Sequence, residues 1–333
     1  MTTPALSVRN LRVSVGSGES EVEILRGVDF DVRRGEILGI AGESGSGKTM
    51  AMRAVLGLLP HGARATGSAV LDGRDLVGLS QSELRTIRGR HIGMVFQDPT
   101  TSLHPMLRIG RQLTDHMRKH LGLRRAEAER RALDLLDDVR LPDPEQAMGR
   151  YPHQFSGGMR QRIAIAAALA CNPTLIVADE PTTALDVTVQ AGVLALLRRL
   201  CDEHGTSIVM ITHDLGVLSE LCDRVSVFYS GSVIESGSTR DVMDHARHPY
   251  TRALLDALPD QGLDDLRPMV PIAGTAPSAA DRPAGCAFHP RCRFATVPCQ
   301  TDPPGPRATG PDGAEPHTFS CTVDPFELRS VVR

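Results

Sequence analysis

Eight consecutive residues, Gly42, Glu43, Ser44, Gly45, Ser46, Gly47, Lys48 and Thr49, fit the pattern G-x-x-x-x-G-K-[ST]. Small residues there let backbone N–H groups turn inward around phosphate oxygens, Lys48 adds a positive charge, and Thr49 offers a hydroxyl to Mg²⁺. Further along, an apolar run ends in Asp179 and Glu180, which places two carboxylates at the carboxyl end of an expected strand, where α/β sheets bind ligands. Ser156, Gly157 and Gly158 stand just before a helical pattern, and a hydroxyl with free backbone N–H groups at a helix N-terminus attracts anions. A second anion site is redundant in a chain that already has a complete phosphate cradle. Gln97, the stretch Ala184 to Asp186, and His213 complete an ordered set.

The elements needed to position this set are legible from patterning. Residues 6–15 and 22–32 alternate apolar and polar side chains around a Gly/Ser-rich turn, the mark of paired strands. Residues 37–41 are continuously apolar and run into the phosphate loop, and a helix is expected over 50–59, so the motif has its strand, loop and helix context. Residues 92–96 deliver Gln97, 98–105 are expected as a loop, and 107–139 are helical, with the charged stretch 118–131 as a solvated face. Residues 174–178 and 207–211 are bare apolar runs typical of parallel strands covered on both sides, with helices expected over 159–171 and 187–199. The alternation predicts an α/β core with a largely parallel sheet and a helical insertion over about 98–158. One further helix is expected over 248–258.

Composition narrows the class. The 333 residues suffice for two domains, or one with an appendage. A net charge of -3 from 37 basic and 40 acidic residues gives no field to draw the chain to nucleic acid. The absence of Trp and a total of three Tyr argue against a platform for single-stranded nucleic acid. The amino terminus lacks a signal-peptide pattern and no apolar run approaches the roughly 18 residues of a membrane span, so a soluble, intracellular chain is expected.

The chain resembles the ATP-binding subunits of ABC transporters over nearly its whole length. The stretches Gln97 to Pro105, Phe155 to Arg162, His248 to Leu255 and Gly285 to Cys292 narrow the resemblance to the oligopeptide/dipeptide importer branch. The fold implied is a P-loop NTPase core with an antiparallel β subdomain and a helical insertion. Residues 1–258 would form the nucleotide-binding domain and 259–333 a cysteine-containing carboxyl-terminal extension. By this resemblance Asp179 holds Mg²⁺ with Thr49 and Gln97, Glu180 orients the attacking water, and His213 reaches the γ-phosphate. Gln97 senses bound nucleotide, while Lys48 and the rest of the loop cradle ATP. The family resolves the redundant anion site by sandwiching ATP between two subunits head to tail, so that Ser156, Gly157 and Gly158 cap the γ-phosphate on the partner's loop and Asp186 lies at the seam. The partners implied are a second ATPase, related or identical, two transmembrane permease subunits and, indirectly, an extracytoplasmic solute-binding protein, with the chain on the cytoplasmic face of the membrane. Peptides are the expected cargo, with nickel, glutathione or another solute as alternatives, and a soluble regulatory ABC ATPase as the reading from another class. One departure is Val15, which occupies the place where the family usually stacks an aromatic ring on adenine.

Of seven cysteines, Cys171, Cys201 and Cys222 lie singly in apolar contexts and are expected as small buried side chains. Cys286, Cys292, Cys299 and Cys321 follow the spacing C-x5-C-x6-C-x21-C in a Pro- and Gly-rich stretch with little apolar surface, so a metal staple is expected to supply its missing folding energy. The resemblance implies a [4Fe–4S] cluster, with Zn²⁺ or free thiols as alternatives. The distance of these cysteines from the phosphate loop in sequence leads one to expect that their state leaves nucleotide binding largely intact.

Overall fold

The computed structural model of the chain describes residues 3–183, 185–258, 271–309 and 316–323. Ala184 and residues 259–270 therefore lie outside the described residues, as do parts of the extension beyond 309. In chain order the elements begin with β1 (Leu6–Val15), β2 (Val22–Val32), β3 (Ile37–Ala41), α1 (Lys48–Val55), β4 (Ala63–Leu71), β5 (Arg74–Asp75), α2 (Gln81–Ile87) and β6 (Ile92–Val95). They continue through α3 (Pro99–Ser102), α4 (Ile109–Leu121), α5 (Arg125–Asp138), α6 (Pro144–Gly149), α7 (Gly157–Leu169), β7 (Leu175–Asp179), α8 (Val187–His204) and β8 (Ser207–Ile211). The last are α9 (Leu215–Leu221), β9 (Arg224–Tyr229), β10 (Ser232–Ser238), α10 (Thr239–Asp244), α11 (Pro249–Asp256), α12 (Pro298–Thr301), β11 (Arg307–Thr309) and β12 (His317–Phe319).

The chain clusters into two compact units, one drawn from Met1–Ser7, Asp31–Ile37 and Val70–Ile211, the other from Val8–Phe30, Leu38–Ala69 and Thr212–Arg333. In the first, β6, β7 and β8 form a parallel ladder with Ile92 opposite Leu175 and Asp179 opposite Ile211. Bare apolar strands make this possible because both faces of the ladder are covered: every residue of β8 is buried. Gly93 in β6 has a packing reason, since a Cβ there would lie 2.5 Å from the Ala168 carbonyl oxygen on α7. The helical insertion consists of α3 to α6, with Leu113, Met117, Leu135 and Leu136 buried between helices and exposed pairs such as Arg111–Asp115 and Arg125–Glu129 on the solvated side. Residues 98–105, expected as a loop, contain the single turn α3.

In the second unit β1 lies between β2 and β4, as the alternating pattern required. β3 pairs in parallel with β9, Leu38 opposite Arg224 and Ala41 opposite Val227. β9 and β10 form a tight antiparallel hairpin whose two turn residues, Ser230 and Gly231, both have positive φ, +45° and +80°. That is the turn geometry whose twist matches paired strands. β12 then adds to β10, with Glu235 opposite Phe319, and β11 adds to β12.

This last arrangement corrects an expectation. The extension does have apolar packing, shared with the preceding elements: Phe288 and Phe319 are both buried, and Phe288 meets Tyr229 and Tyr250 edge-on at ring distances of 5.4 and 5.3 Å. The extension is sparse in apolar residues because it borrows the aromatic surface of β9 and α11. Buried Glu235 on β10 adds a polar lock, accepting from the Arg247 and His248 backbone N–H groups at 2.6 and 3.0 Å. Its Oε1 also lies 2.7 Å from Nε2 of His317 on β12.

Candidate functional site

The phosphate loop belongs to the second unit. It follows β3 and opens α1, which begins at Lys48, two residues earlier than its pattern suggested. Gly42, Gly45 and Gly47 have φ of +139°, +79° and +106°, conformations that side chains resist. At Gly42 there is also no room: a Cβ would lie 2.3 Å from the Phe228 carbonyl oxygen. The Lys48 ammonium donates to the carbonyls of Gly42 and Glu43 at 2.6 and 2.9 Å, which folds its charge across the mouth of the loop. Ser46 Oγ is buried and without a hydrogen-bond partner, an unsatisfied group of the kind a phosphate oxygen would satisfy. The loop residues fit a nucleotide triphosphate on this chemistry.

Glu43 is held from three sides. Its carbonyl takes the Lys48 bond, its N–H donates to the Tyr250 hydroxyl at 2.8 Å, and its carboxylate receives both Nη groups of Arg291 at 2.6 and 2.9 Å. The hairpin turn braces the loop as well, the Gly231 N–H donating to the Ser46 carbonyl at 2.9 Å. Arg282 in the extension supports that turn through Ser230 Oγ at 2.9 Å and the Glu23 carbonyl at 3.2 Å. Tyr250, Arg282, Arg291 and Glu235 were not legible as site residues. Tyr250 sits in the stretch His248 to Leu255, but no spacing rule ties a tyrosine there to a loop some two hundred residues upstream.

Asp179 and Glu180 belong to the first unit. Asp179 ends β7, and Glu180 follows with φ of +48°, a strained backbone for a residue with a side chain. The Glu180 N–H is fixed to the Ile211 carbonyl at 2.8 Å. The structure brings Gln97 to this carboxylate, its Nε2 donating to Glu180 Oε2 at 3.0 Å, and the Thr183 hydroxyl donates to the same oxygen at 3.0 Å. Ser156 caps α7, its Oγ accepting from the Met159 N–H at 3.3 Å, and Ser156 and Gly157 are exposed at the helix end. Gly158 is glycine for packing: a Cβ there would lie 2.5 Å from Val189 Cγ1 on α8. Asp186 caps α8 through the Val189 N–H at 2.9 Å, and the next residue, Val187, is 83% exposed. In the second unit His213 is exposed just before Asp214, whose carboxylate caps α9.

Val15 ends β1, half-buried. Tyr229 and Tyr250 do not replace it as an adenine platform, because both are buried in the aromatic cluster with Phe288.

Cys286, Cys292, Cys299 and Cys321 line one small cavity together with His248, Phe288 and Phe294. Burial pushes the Cys286 and Cys292 thiols up. It pushes Cys321 up to about 12, the other three thiols adding to the rise. Burial opposes ionisation of Cys299 too, but hydrogen bonds with Thr296 and Thr322 bring it below the usual range. Among the described residues no three His, Cys, Asp or Glu side chains close to the distances of a single ion. The four thiols therefore line a common space without closing into a metal-holding group, so the expected metal staple finds no support in their arrangement. Cys171, Cys201 and Cys222 are buried, as their contexts indicated.

Family models agree with these two regions: "ABC transporter" matches residues 25–183, and "Oligopeptide/dipeptide transporter, C-terminal region" matches 234–299. The oligopeptide transport ATP-binding protein OppD of Salmonella typhimurium is 46% identical over 299 residues, 90% of this chain and 89% of that protein. The chain belongs to the ABC transporter ATPase family. The probable D,D-dipeptide transport ATP-binding protein DdpD of Escherichia coli is 46% identical over 306 residues, 91% of this chain and 93% of the relative. A dimeric ATP-binding cassette solved in a post-hydrolysis state with ADP and Pi superposes with a TM-score of 0.62 at 31% identity, covering 71% of this chain and 99% of that one. The cassette cbiO1 of Clostridium perfringens does so with a TM-score of 0.62 at 27% identity, covering 73% and 91%. As a member of this ABC family the chain is an ATPase coupled to transport. No helix among its described residues is long and apolar enough to cross a membrane.

Proposed function

We propose that the chain is the ATP-hydrolysing subunit of a peptide importer, bound at the cytoplasmic face of the membrane to two permease subunits that receive cargo from a solute-binding protein. The similarity to peptide transport ATP-binding proteins over nine-tenths of the chain, with the peptide-transporter carboxyl-terminal region matched over residues 234–299, carries this reading. Within it the backbone N–H groups of Gly42 to Thr49 and the Lys48 ammonium bind the phosphates. Thr49, Gln97 and Asp179 serve Mg²⁺, Glu180 polarises water and His213 donates to the γ-phosphate. The nucleotide-binding domain spans 1–258 and the extension 259–333. The decisive cargo experiment is uptake by membranes containing the reconstituted transporter. Di- or oligopeptide uptake that is lost when the chain is omitted supports the reading; uptake of nickel or glutathione alone replaces the cargo, and ATPase activity independent of any permease supports a regulatory role.

Exposed Ser156 and Gly157, together with Val187 beside the Asp186 cap, favour a head-to-tail dimer with a second ATPase. Activity per chain should then rise with subunit concentration, or on titrating in the partner ATPase. A rate per chain unaffected by either would overturn the sandwich.

For the four cysteines, which line one cavity, the reading is a [4Fe–4S] cluster, with Zn²⁺ or free thiols as the alternatives; metal binding would offset the burial that raises the Cys286, Cys292 and Cys321 thiols. Cys286, Cys292, Cys299 and Cys321 are the four ligands in this reading, and a structural staple is the chemistry supplied. Anaerobically purified protein is expected to be brown, to contain about four iron and four sulfide per chain, and to lose both in Cys292→Ser. Stoichiometric zinc without iron would overturn it.

A further inference from the structure

The four-cysteine segment does not end at its own cavity. Arg291, the residue before Cys292, is set by the turn His289–Arg291, whose Cys292 N–H returns to the His289 carbonyl at 3.2 Å. Its side chain is only 5% exposed. Each of its three side-chain nitrogens has a partner: Nε on the Ala273 carbonyl at 2.9 Å, Nη1 on Glu43 Oε2 at 2.6 Å and on the Tyr229 hydroxyl at 3.3 Å, and Nη2 on Glu43 Oε1 at 2.9 Å. A guanidinium fork meeting both oxygens of a carboxylate fixes orientation as well as distance. Glu43 is the second residue of the phosphate loop, and its N–H is held by Tyr250, a ring that itself packs on Phe288 of the same segment. Two independent contacts, one ionic and one through the aromatic cluster, thus tie the seating of the extension to the loop that binds phosphate.

We propose that Arg291 is a positioning residue for the phosphate loop, holding Glu43 so that the affinity for ATP depends on whether the four-cysteine segment is seated. This proposal departs from the independence that sequence distance suggested. A loop freed of Arg291 samples conformations that cannot bind, and the fraction lost appears directly in the dissociation constant. Glu180 and Gln97 lie on other segments, so the chemical step at saturating ATP is spared.

The inference rests on Gly42 to Thr49 being the ATP cradle, and ATP binding by the wild-type full-length chain, measured by calorimetry, tests that separately. With binding present, Arg291→Ala is expected to weaken ATP about tenfold and to raise the KM of the assembled transporter in proportion, with kcat within about twofold. Arg291→Lys should fall between, because a single ammonium cannot hold both oxygens. Arg293→Ala is the control: Arg293 lies in the same segment but rests over the Phe294 ring, 66% exposed and 3.6 Å from Asp256. It should bind ATP as wild type does. Arg291→Ala combined with Glu43→Gln should be no weaker than the more affected single variant, since both remove one contact. Cys292→Ser should weaken ATP in the wild-type background and add nothing in Arg291→Ala. Unchanged affinity in Arg291→Ala, an equal loss in Arg293→Ala, or additive losses in either double variant would overturn the proposal.

Discussion

Replacing Glu180 with Gln is expected to leave ATP bound while turnover falls by about two orders of magnitude or more, the usual worth of a positioned general base. The cradle at Gly42 to Thr49 is untouched by this change, and only the carboxylate oxygen that accepts from Gln97 and Thr183 loses its charge and basicity. Phosphate release by the assembled transporter, set beside ATP binding by the isolated chain, separates the two quantities. Turnover at the wild-type rate would remove Glu180 from the reaction. Gln97→Ala should act differently, because Glu180 keeps its charge and the Thr183 bond; a smaller loss of rate is expected there.

Glu235→Ala is expected to destabilise the second unit by about 3–5 kcal/mol, the cost typical of breaking a buried charged network by removing one member. The change strands the Arg247 and His248 backbone N–H groups and the His317 ring in a site with almost no solvent. Because His317 lies on β12, unfolding should begin at the extension. Limited proteolysis is expected to release the carboxyl-terminal region before the nucleotide-binding core is cut, and a denaturant midpoint equal to wild type would show that β12 is held by its ladder alone.

The legible and illegible parts of this chain differ in how far their causes reach. The strand, loop and helix around Lys48 could be read because G-x-x-x-x-G-K-[ST] encodes backbone conformations locally, and the structure gives those glycines the positive φ they are suited to. β8 was read to the residue because a continuous apolar run bounded by polar residues has one reasonable outcome. The helix after Ser156 was legible from its apolar pattern, but that Ser156 and Asp186 cap α7 and α8 is a finding of the structure. β9, β10 and β12 form part of a ladder between segments some eighty residues apart, and no local period announces such a pairing. Arg291 is the extreme case. Its chemistry is plain, but its partner is 248 positions away, and a basic residue among prolines and cysteines looks from sequence like a solubilising charge. The same blindness made the extension look short of core, since the aromatic rings that complete it belong to β9 and α11.

The missing Cβ of Gly158 has a mechanical consequence. With Val189 Cγ1 occupying that space, the amino-terminal ends of α7 and α8 interlock at side-chain contact distance, and interlocked helices shift between discrete arrangements more readily than they slide. The Ser156 hydroxyl that caps α7 and the Asp186 carboxylate that caps α8 therefore stand at the ends of two helices packed too closely to shift independently of each other.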